Sequence, residues 1–152
     1  MKTSRRPQQL EQAIPFLLTR AGGRMGNALA KALKPFGLSL SEWRVCASLL
    51  YVPLQTLSEL SAHATSDISA LSRIIDRLEG QELVRREKSA TDGRSIRVVL
   101  TEKGEELTLS IMPLAKRHEA VVLRDFAASD VQVLRAMLIK LYENAEALDD
   151  LP

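Results

Sequence analysis

The stretch SELSAHATSDISALSRIIDRLEGQELVRREKSATDGRSIRVVLTEKG, residues 58–104, decides the fold. Residues 67–79 within it have the clearest helical periodicity, with a polar face opposite an apolar one. The predicted apolar face consists of Ile68, Leu71, Ile75 and Leu78. The short runs LVRREK at 83–88 and IRVVL at 96–100 read as extended and flank the turn-rich SATDGRS, which predicts a β-hairpin. With a short helix at 57–63, the order becomes helix, turn, helix, hairpin: a helix-turn-helix followed by a wing.

Capping residues mark several helix starts in the rest of the chain. Ser39–Glu42, Thr56–Glu59 and Ser129–Gln132 each match the capping box, in which a hydroxyl and a carboxylate or amide satisfy free N–H groups. Further helices are predicted from Pro15 to Pro35, at 41–51, at about 102–127 after Thr101, and at about 130–148. The predicted fold is therefore mainly α (α+β). The apolar stripes of the terminal helices need a partner surface, which favours one module built from both chain ends.

Composition excludes several classes of protein. The chain has 152 residues, one cysteine and a formal net charge of +2. One cysteine rules out a disulfide framework or a multi-cysteine metal site and is typical of a reducing cytoplasm. No apolar run approaches the ~18 residues of a membrane span, and the basic N-terminus has no apolar region typical of a signal peptide. We therefore expect a cytoplasmic protein with no membrane contact and no cofactor.

The polar face of the 67–79 helix indicates a nucleic-acid interface. It combines short hydroxyls with arginines, and its members are Ser69, Ser72, Arg73, Asp76 and Arg77. Serines allow close approach to a phosphate backbone, and arginine can form a bidentate contact with guanine. Arg94, at the hairpin tip, has the reach to enter a minor groove. The alternative interpretation of this face is an ordinary solvated helix surface.

The same residues carry a family resemblance. LSRIIDRLE at 71–79, LVRR at 83–86, the D-x-R of Asp92 and Arg94, and LTEKG at 100–104 resemble the winged helix-turn-helix core of the MarR (multiple antibiotic resistance regulator) family. The resemblance implies a homodimeric transcriptional regulator, usually a repressor released by a small molecule. It implies a DNA-binding domain at 38–103 and a helical dimerisation region formed by 1–37 and 104–152.

The resemblance also assigns roles to individual residues. Ser69, Ser72 and Arg73 take the groove-facing positions of the recognition helix, with Thr65 and Ser66 near phosphate at its start. Arg77 approaches the DNA backbone or pairs with the wing, while Asp92 positions Arg94 rather than touching DNA. Two positions depart from the family pattern: Glu82 stands where a glycine commonly precedes the first wing strand, and Gly93 stands where many relatives carry a charge.

An effector site is expected where the dimerisation helices meet the DNA-binding lobe. Its candidates are the aromatic and cationic residues predicted near that junction: Arg20, Arg24, Trp43, Arg44 and His118. An aromatic ring among arginines suits an aromatic carboxylate such as a phenolic acid, or a CoA thioester. Each residue has a structural alternative, since Trp43 fits a core position and Arg44 a brace to an acid.

The sequence gives little support for catalysis, a reactive cysteine or a metal site. The chain has no G-x-S-x-G, P-loop or paired Cys/His arrangement, so we expect no enzyme activity. Cys46 lies at an apolar helical position, which predicts a buried, inert thiol. His63 and His118 lack ligand partners at metal-binding spacing. The rival function is a winged-helix protein-interaction adaptor without DNA binding, because residues 65–103 carry eight basic and seven acidic side chains.

Overall fold

A computed structural model describes residues 8–64, 67–88, 93 and 95–150. The described part forms seven α-helices, two strands and two short 3-10 helices. The order of the six predicted helices and the hairpin is confirmed, whereas the first short helix and both 3-10 helices were not predicted. The helices are α1 (Gln8–Glu11), α2 (Ile14–Leu33), α3 (Leu40–Tyr51), α4 (Leu57–Ala64), α5 (Ile68–Gly80), α6 (Glu102–Leu123) and α7 (Ala128–Ala145). The strands are β1 (Val84–Lys88) and β2 (Ile96–Leu100), and the 3-10 helices are Lys34–Phe36 and Glu146–Leu148.

Two of the three predicted capping boxes are present. Ser39 and Glu42 cap α3 reciprocally, and Thr56 and Glu59 do the same for α4. The third, at Ser129, is wrong: α7 begins at Ala128, two residues before the predicted start, and its N-cap is Ala127 with no side-chain hydrogen bond. The spacing of a capping box is also satisfied by residues already inside a first helical turn, so the pattern alone does not fix the start. The end of α6 also differs from the prediction, because the helix ends at Leu123 and not at about 127.

The chain divides into two compact units, Met1–Lys116 and Arg117–Pro152. The first contains the hydrophobic core, to which α3, α4, α5 and both strands contribute. The core residues of α5 are Leu71, Ile74, Ile75 and Leu78. The spacing predicts Ile68 on the same face, yet it is 52% exposed because it lies in the first turn, beyond the end of the core. Ile74 takes part instead.

The wing is an antiparallel hairpin extended by a residue from the α3–α4 loop. Val84 pairs with Leu100 and Lys88 with Ile96. Gln55 forms a further antiparallel bridge to β2, where the Val98 N–H donates to its main-chain oxygen over 2.8 Å. Gln55 and Val98 are both buried, so the base of the wing is anchored in the core of the lobe.

The corner between α5 and β1 shows why the family pattern commonly has a glycine at the position of Glu82. The Glu82 N–H donates to the Glu79 oxygen and the Leu83 N–H to the Leu78 oxygen, which is the Schellman pattern that ends a helix. The pattern requires a left-handed residue, and Glu82 has φ of 61°. Glycine takes this conformation without steric cost, whereas glutamate does not. The helix ends at Gly80 and turns at Glu82 despite the missing glycine.

Glu82→Gly is therefore expected to stabilise the protein by about 1 kcal/mol, because it relieves the left-handed strain. The exposed ion pair between Glu82 and Lys103, 3.6 Å apart, contributes little against this gain. Urea unfolding at fixed protein concentration measures the change. Glu82→Ala is the matched control, since it removes the ion pair but keeps a Cβ; equal stabilisation by both variants would contradict the explanation.

Helix α7 of the second unit carries large apolar side chains that are not buried. No residue of α7 is buried, although the helix carries Val133, Leu134, Met137, Leu138 and Leu141. The one ion pair in this unit that joins α6 to α7 is Arg135 with Glu119, at 3.3 Å, among the described residues. A helix with this composition normally covers its apolar side against another surface.

Candidate nucleic-acid interface

The outer face of α5 is held in place by the core beneath it. The Asp67 carboxylate accepts the Ala70 N–H over 2.7 Å and caps the helix start. Opposite the buried residues, Ser69 and Arg73 are exposed and Ser72 is half-buried. Arg73 makes no ion pair with any described residue, so its guanidinium is available to a ligand. The structure brings these three predicted contact residues together on one surface.

The other residues predicted to contact DNA are either not described by the structure or are hydrogen-bonded within the protein. Thr65, Ser66, Asp92 and Arg94 lie outside the residues that the structure describes. Arg77 is exposed on α5, where its Nε donates to Glu42 Oε1 over 2.9 Å. Its described ion-pair partner thus belongs to α3, and the described residues of the wing form no ion pair with it. Burial alone would raise the pKa of Glu42, but hydrogen bonds from Ser39 and Arg77 lower it below its ordinary value.

Arg86 of β1 ties the wing to the recognition helix, and sequence reasoning missed this contact. Its Nη2 lies 2.6 Å from Asp76 Oδ1, and its Nη1 binds Glu79. Burial alone would lower the pKa of Arg86, but the hydrogen bonds to Asp76 and Glu79 raise it. Asp76, a member of the predicted polar face, therefore pairs with the wing through Arg86. The i,i+3 spacing of Asp76 and Glu79 is the signal that could have predicted a shared cation.

The α3–α4 side of the lobe contains a cleft of about 320 Å³. Its walls combine aromatic, cationic and small side chains. The lining residues are Trp43, Arg44, Ala47, Ser48, Tyr51, Val52 and His63. Two of the five predicted effector residues, Trp43 and Arg44, meet here. Arg20 and Arg24 are exposed on α2 outside the cleft, Arg20 over the Phe16 ring at 5.5 Å, and His118 belongs to the second unit.

A polar network that the sequence did not predict connects this cleft to the wing. The buried amide of Gln55 donates to the Ser48 main-chain oxygen over 3.0 Å and to the Val52 oxygen over 2.6 Å. The Gln55 Oε1 lies 3.0 Å from His63 Nδ1, which is also 3.1 Å from Ser48 Oγ. Since Gln55 also bridges to β2, a molecule that displaces Ser48 or His63 would disturb the base of the wing.

Further observations bear on the remaining predictions. Cys46 is buried as predicted, and burial raises the pKa of its thiol to about 12, so it stays protonated at neutral pH. Within the described ranges, no cluster of three His, Cys, Asp or Glu side chains could hold a metal ion. Nor does any helix there combine the length and apolar character needed to cross a bilayer.

Known proteins resemble the chain in both sequence and structure. The MarR family profile matches residues 38–96. The HTH-type transcriptional repressor Rv2887 of Mycobacterium tuberculosis is 30% identical over 128 residues, covering 84% of this chain and 92% of the relative. A MarR family transcriptional regulator from Silicibacter pomeroyi superposes with a TM-score of 0.85 at 27% identity, over 93% of this chain and 95% of the other. The complex of Rv2887 with salicylic acid superposes at 0.68, with 29% identity and coverage of 85% and 96%.

The helix-turn-helix, the anchored hairpin and the polar face of α5 define a winged-helix DNA-binding protein. The chain belongs to the MarR family of transcriptional regulators. It is accordingly a regulator and not an enzyme. The mainly α fold with a two-stranded wing is confirmed.

Proposed function

We propose that the protein is a homodimeric repressor that binds a pseudo-palindromic operator and is released by a small aromatic carboxylate in the cytoplasm. The observation that carries the DNA-binding part is the outer face of α5. Its Ser69, Ser72 and Arg73 are presented by a helix whose opposite side is fully buried. In the proposed complex, the two copies of α5 enter successive major grooves about one helical turn apart.

Within each half-site, Arg73 reads guanine through its bidentate guanidinium, and Ser69 and Ser72 allow close approach. Arg77 contacts phosphate from the C-terminal half of α5. The remaining roles follow the family resemblance: Thr65 and Ser66 lie near phosphate, and Arg94 enters the minor groove with Asp92 positioning it. Titration of random duplex DNA at rising salt tests DNA binding itself, because affinity should fall steeply as counterions are released, whereas an adaptor would show no such binding.

The proposed dimerisation region comprises residues 1–37 and 104–152. Both segments carry large apolar side chains that the chain itself leaves exposed. On α2 these include Leu17, Leu18 and Met25, and on α7 they include Val133, Met137 and Leu138. A second copy of the chain supplies the same uncovered helices, so the two copies can cover each other through a self-complementary interface.

Light scattering should therefore give twice the 16.9 kDa chain mass. Met137→Glu is expected to shift the mass toward that of one chain, because a charge in an apolar interface must be desolvated without a partner. Ile96→Glu places the same charge at an exposed isoleucine of the wing and should leave the mass unchanged. A single-chain mass for the wild type would refute the dimer.

The α3–α4 cleft is the proposed effector site. Its volume lies at the small end of ligand pockets, which favours a single-ring molecule over a whole CoA thioester. Tyr51 supplies an exposed aromatic surface, Trp43 lines the cleft although it is buried in the core, and Arg44 supplies a cation for a carboxylate. That a related repressor forms a complex with salicylic acid supports the same ligand class here. Binding would act on the wing through Ser48, His63 and Gln55, and it must favour one lobe spacing over the other to release DNA.

Salicylate should produce a saturable shift of the indole N–H signal in NMR spectra, because Trp43 is the one tryptophan of the chain and lines the cleft. Tyr51→Ala is expected to weaken salicylate binding about 3- to 10-fold through the lost aromatic contact. Ser58→Ala, exposed on α4 outside the cleft, is the control. A shift with benzoyl-CoA alone would favour the thioester alternative, and no shift with either would contradict the site.

A further inference from the structure

Glu42 makes a contact that its capping role does not require. Its Oε2 accepts the Ser39 N–H over 2.7 Å, which completes the capping box of α3. Its Oε1 accepts from Nε of Arg77, which lies 35 residues away on α5. The Glu42 side chain is 6% exposed, whereas the Arg77 side chain is 56% exposed. One buried carboxylate therefore holds the inner edge of a guanidinium whose outer part faces solvent.

The other capping box of the chain provides a comparison. Glu59 completes the same motif at the start of α4 and remains exposed. A capping carboxylate thus needs no burial, and burying one is unfavourable unless it is paired and hydrogen-bonded. At Glu42 the pairing comes from Arg77. The burial of the Glu42 carboxylate is explained by its second hydrogen bond, which holds the guanidinium of Arg77.

We infer that Glu42 is a positioning residue for DNA binding, which holds Arg77 so that its Nη groups meet a phosphate. This inference rests on the proposed function. An arginine on a helix surface samples many rotamers, and ordering it on binding costs side-chain entropy. The bond at Nε fixes the plane of the guanidinium beforehand and leaves both Nη groups without another ion pair among the described residues. The same bond locks α5 to the first turn of α3, next to Trp43 and Arg44 of the cleft.

A double-mutant cycle tests the inference with the full-length protein. Fluorescence anisotropy measures the affinity of wild type, Glu42→Gln, Arg77→Ala and the double variant for an operator selected from random duplexes. Glu42→Gln should weaken binding roughly 3- to 10-fold per half-site, because Ser39 and Arg77 donate to different oxygens of Glu42 and glutamine replaces one of these oxygens with an NH2 donor. In the Arg77→Ala background the same substitution should have no further effect, since no guanidinium remains to be positioned.

Two further variants separate positioning from folding. Ser39→Ala removes the other half of the capping box, in which Ser39 Oγ accepts the Glu42 N–H, without touching Arg77. It should lower stability while leaving the affinity of the folded protein unchanged. Arg77→Lys keeps the charge but lacks the fork held by Glu42, so it should reproduce most of the loss seen with Arg77→Ala even if Glu42→Gln folds poorly.

The outcomes distinguish the inference from the proposed function. If the wild type shows no salt-dependent affinity for DNA, both fail. If the wild type binds normally, the inference alone is overturned by an equal loss from Glu42→Gln in both backgrounds, by wild-type affinity of Arg77→Lys, or by an unchanged affinity of Glu42→Gln. The inference is supported if Glu42→Gln lowers the DNA affinity of the protein that retains Arg77 and has no effect in the Arg77→Ala variant.

Discussion

Arg73→Ala should weaken binding to the preferred operator by about 5- to 150-fold for each half-site, corresponding to about 1–3 kcal/mol. The reason is that Arg73 is exposed on the outer face of α5 and makes no ion pair with a described residue, so it can contact a base edge. The substitution should also relax the preference at one base position per half-site. Anisotropy with the operator and with single-base variants measures both effects.

Arg73→Lys is the informative control for this prediction. Lysine keeps the positive charge but cannot contact guanine through two N–H groups of a planar fork. We expect it to retain affinity for random duplex and to lose most of the operator preference. An operator affinity and base preference equal to those of the wild type in both variants would contradict the assignment of Arg73 as a base contact.

Gly104→Ala should destabilise the fold by about 3 kcal/mol or more, because the new methyl group has no space. A Cβ at Gly104 would lie 1.9 Å from the Leu83 main-chain oxygen. The backbone cannot retreat easily, since the Thr101 N–H donates to that same oxygen over 3.0 Å and Thr101 Oγ1 donates to the Glu82 oxygen over 2.6 Å. This loss is a large fraction of the free energy of unfolding of a typical domain.

Chemical denaturation followed by circular dichroism, at fixed protein concentration, measures the effect. Gly80→Ala is the matched control, because a Cβ at that position would meet no atom within 4 Å. Gly80 lies in the last turn of α5, so alanine there should be neutral or stabilising by up to about 1 kcal/mol. Similar midpoints for Gly104→Ala and the wild type would show that the α6 start is not in close contact with the α5–β1 corner.

Local patterns predicted much of the fold. The capping residues Ser39 and Thr56 marked their helix starts, and the apolar spacing of α5 found Leu71, Ile75 and Leu78. These signals are local, because a cap acts within one turn and an amphipathic stripe within a few turns. They fail where context decides: Ile68 has the right spacing but lies beyond the core, and the capping-box match at Ser129 is not used.

The contacts between elements could not be predicted in the same way. Glu42 reads as a capping residue in the sequence, and nothing local connects it to Arg77, 35 positions later. Gln55 reads as a loop residue, although it is buried and bridges to the wing. The two predicted effector residues that share a cleft, Trp43 and Arg44, lie on α3, and helical spacing could also have placed Ser48 and Tyr51 beside them. His63 comes from α4, so its place in the cleft became evident only from the packing of α3 against α4.

The most direct test of the central claim places a DNA-cleaving iron–EDTA label on α5. The buried Cys46, whose thiol pKa is raised to about 12, should not react with the reagent at neutral pH, so Ser69→Cys offers one selective attachment point. The labelled protein should cut the selected operator at two places about one helical turn apart, one for each half-site. A label at Tyr142→Cys on α7 should not. Cleavage from α7 but not from α5, or no localised cleavage by a protein that still binds the operator, would contradict the account.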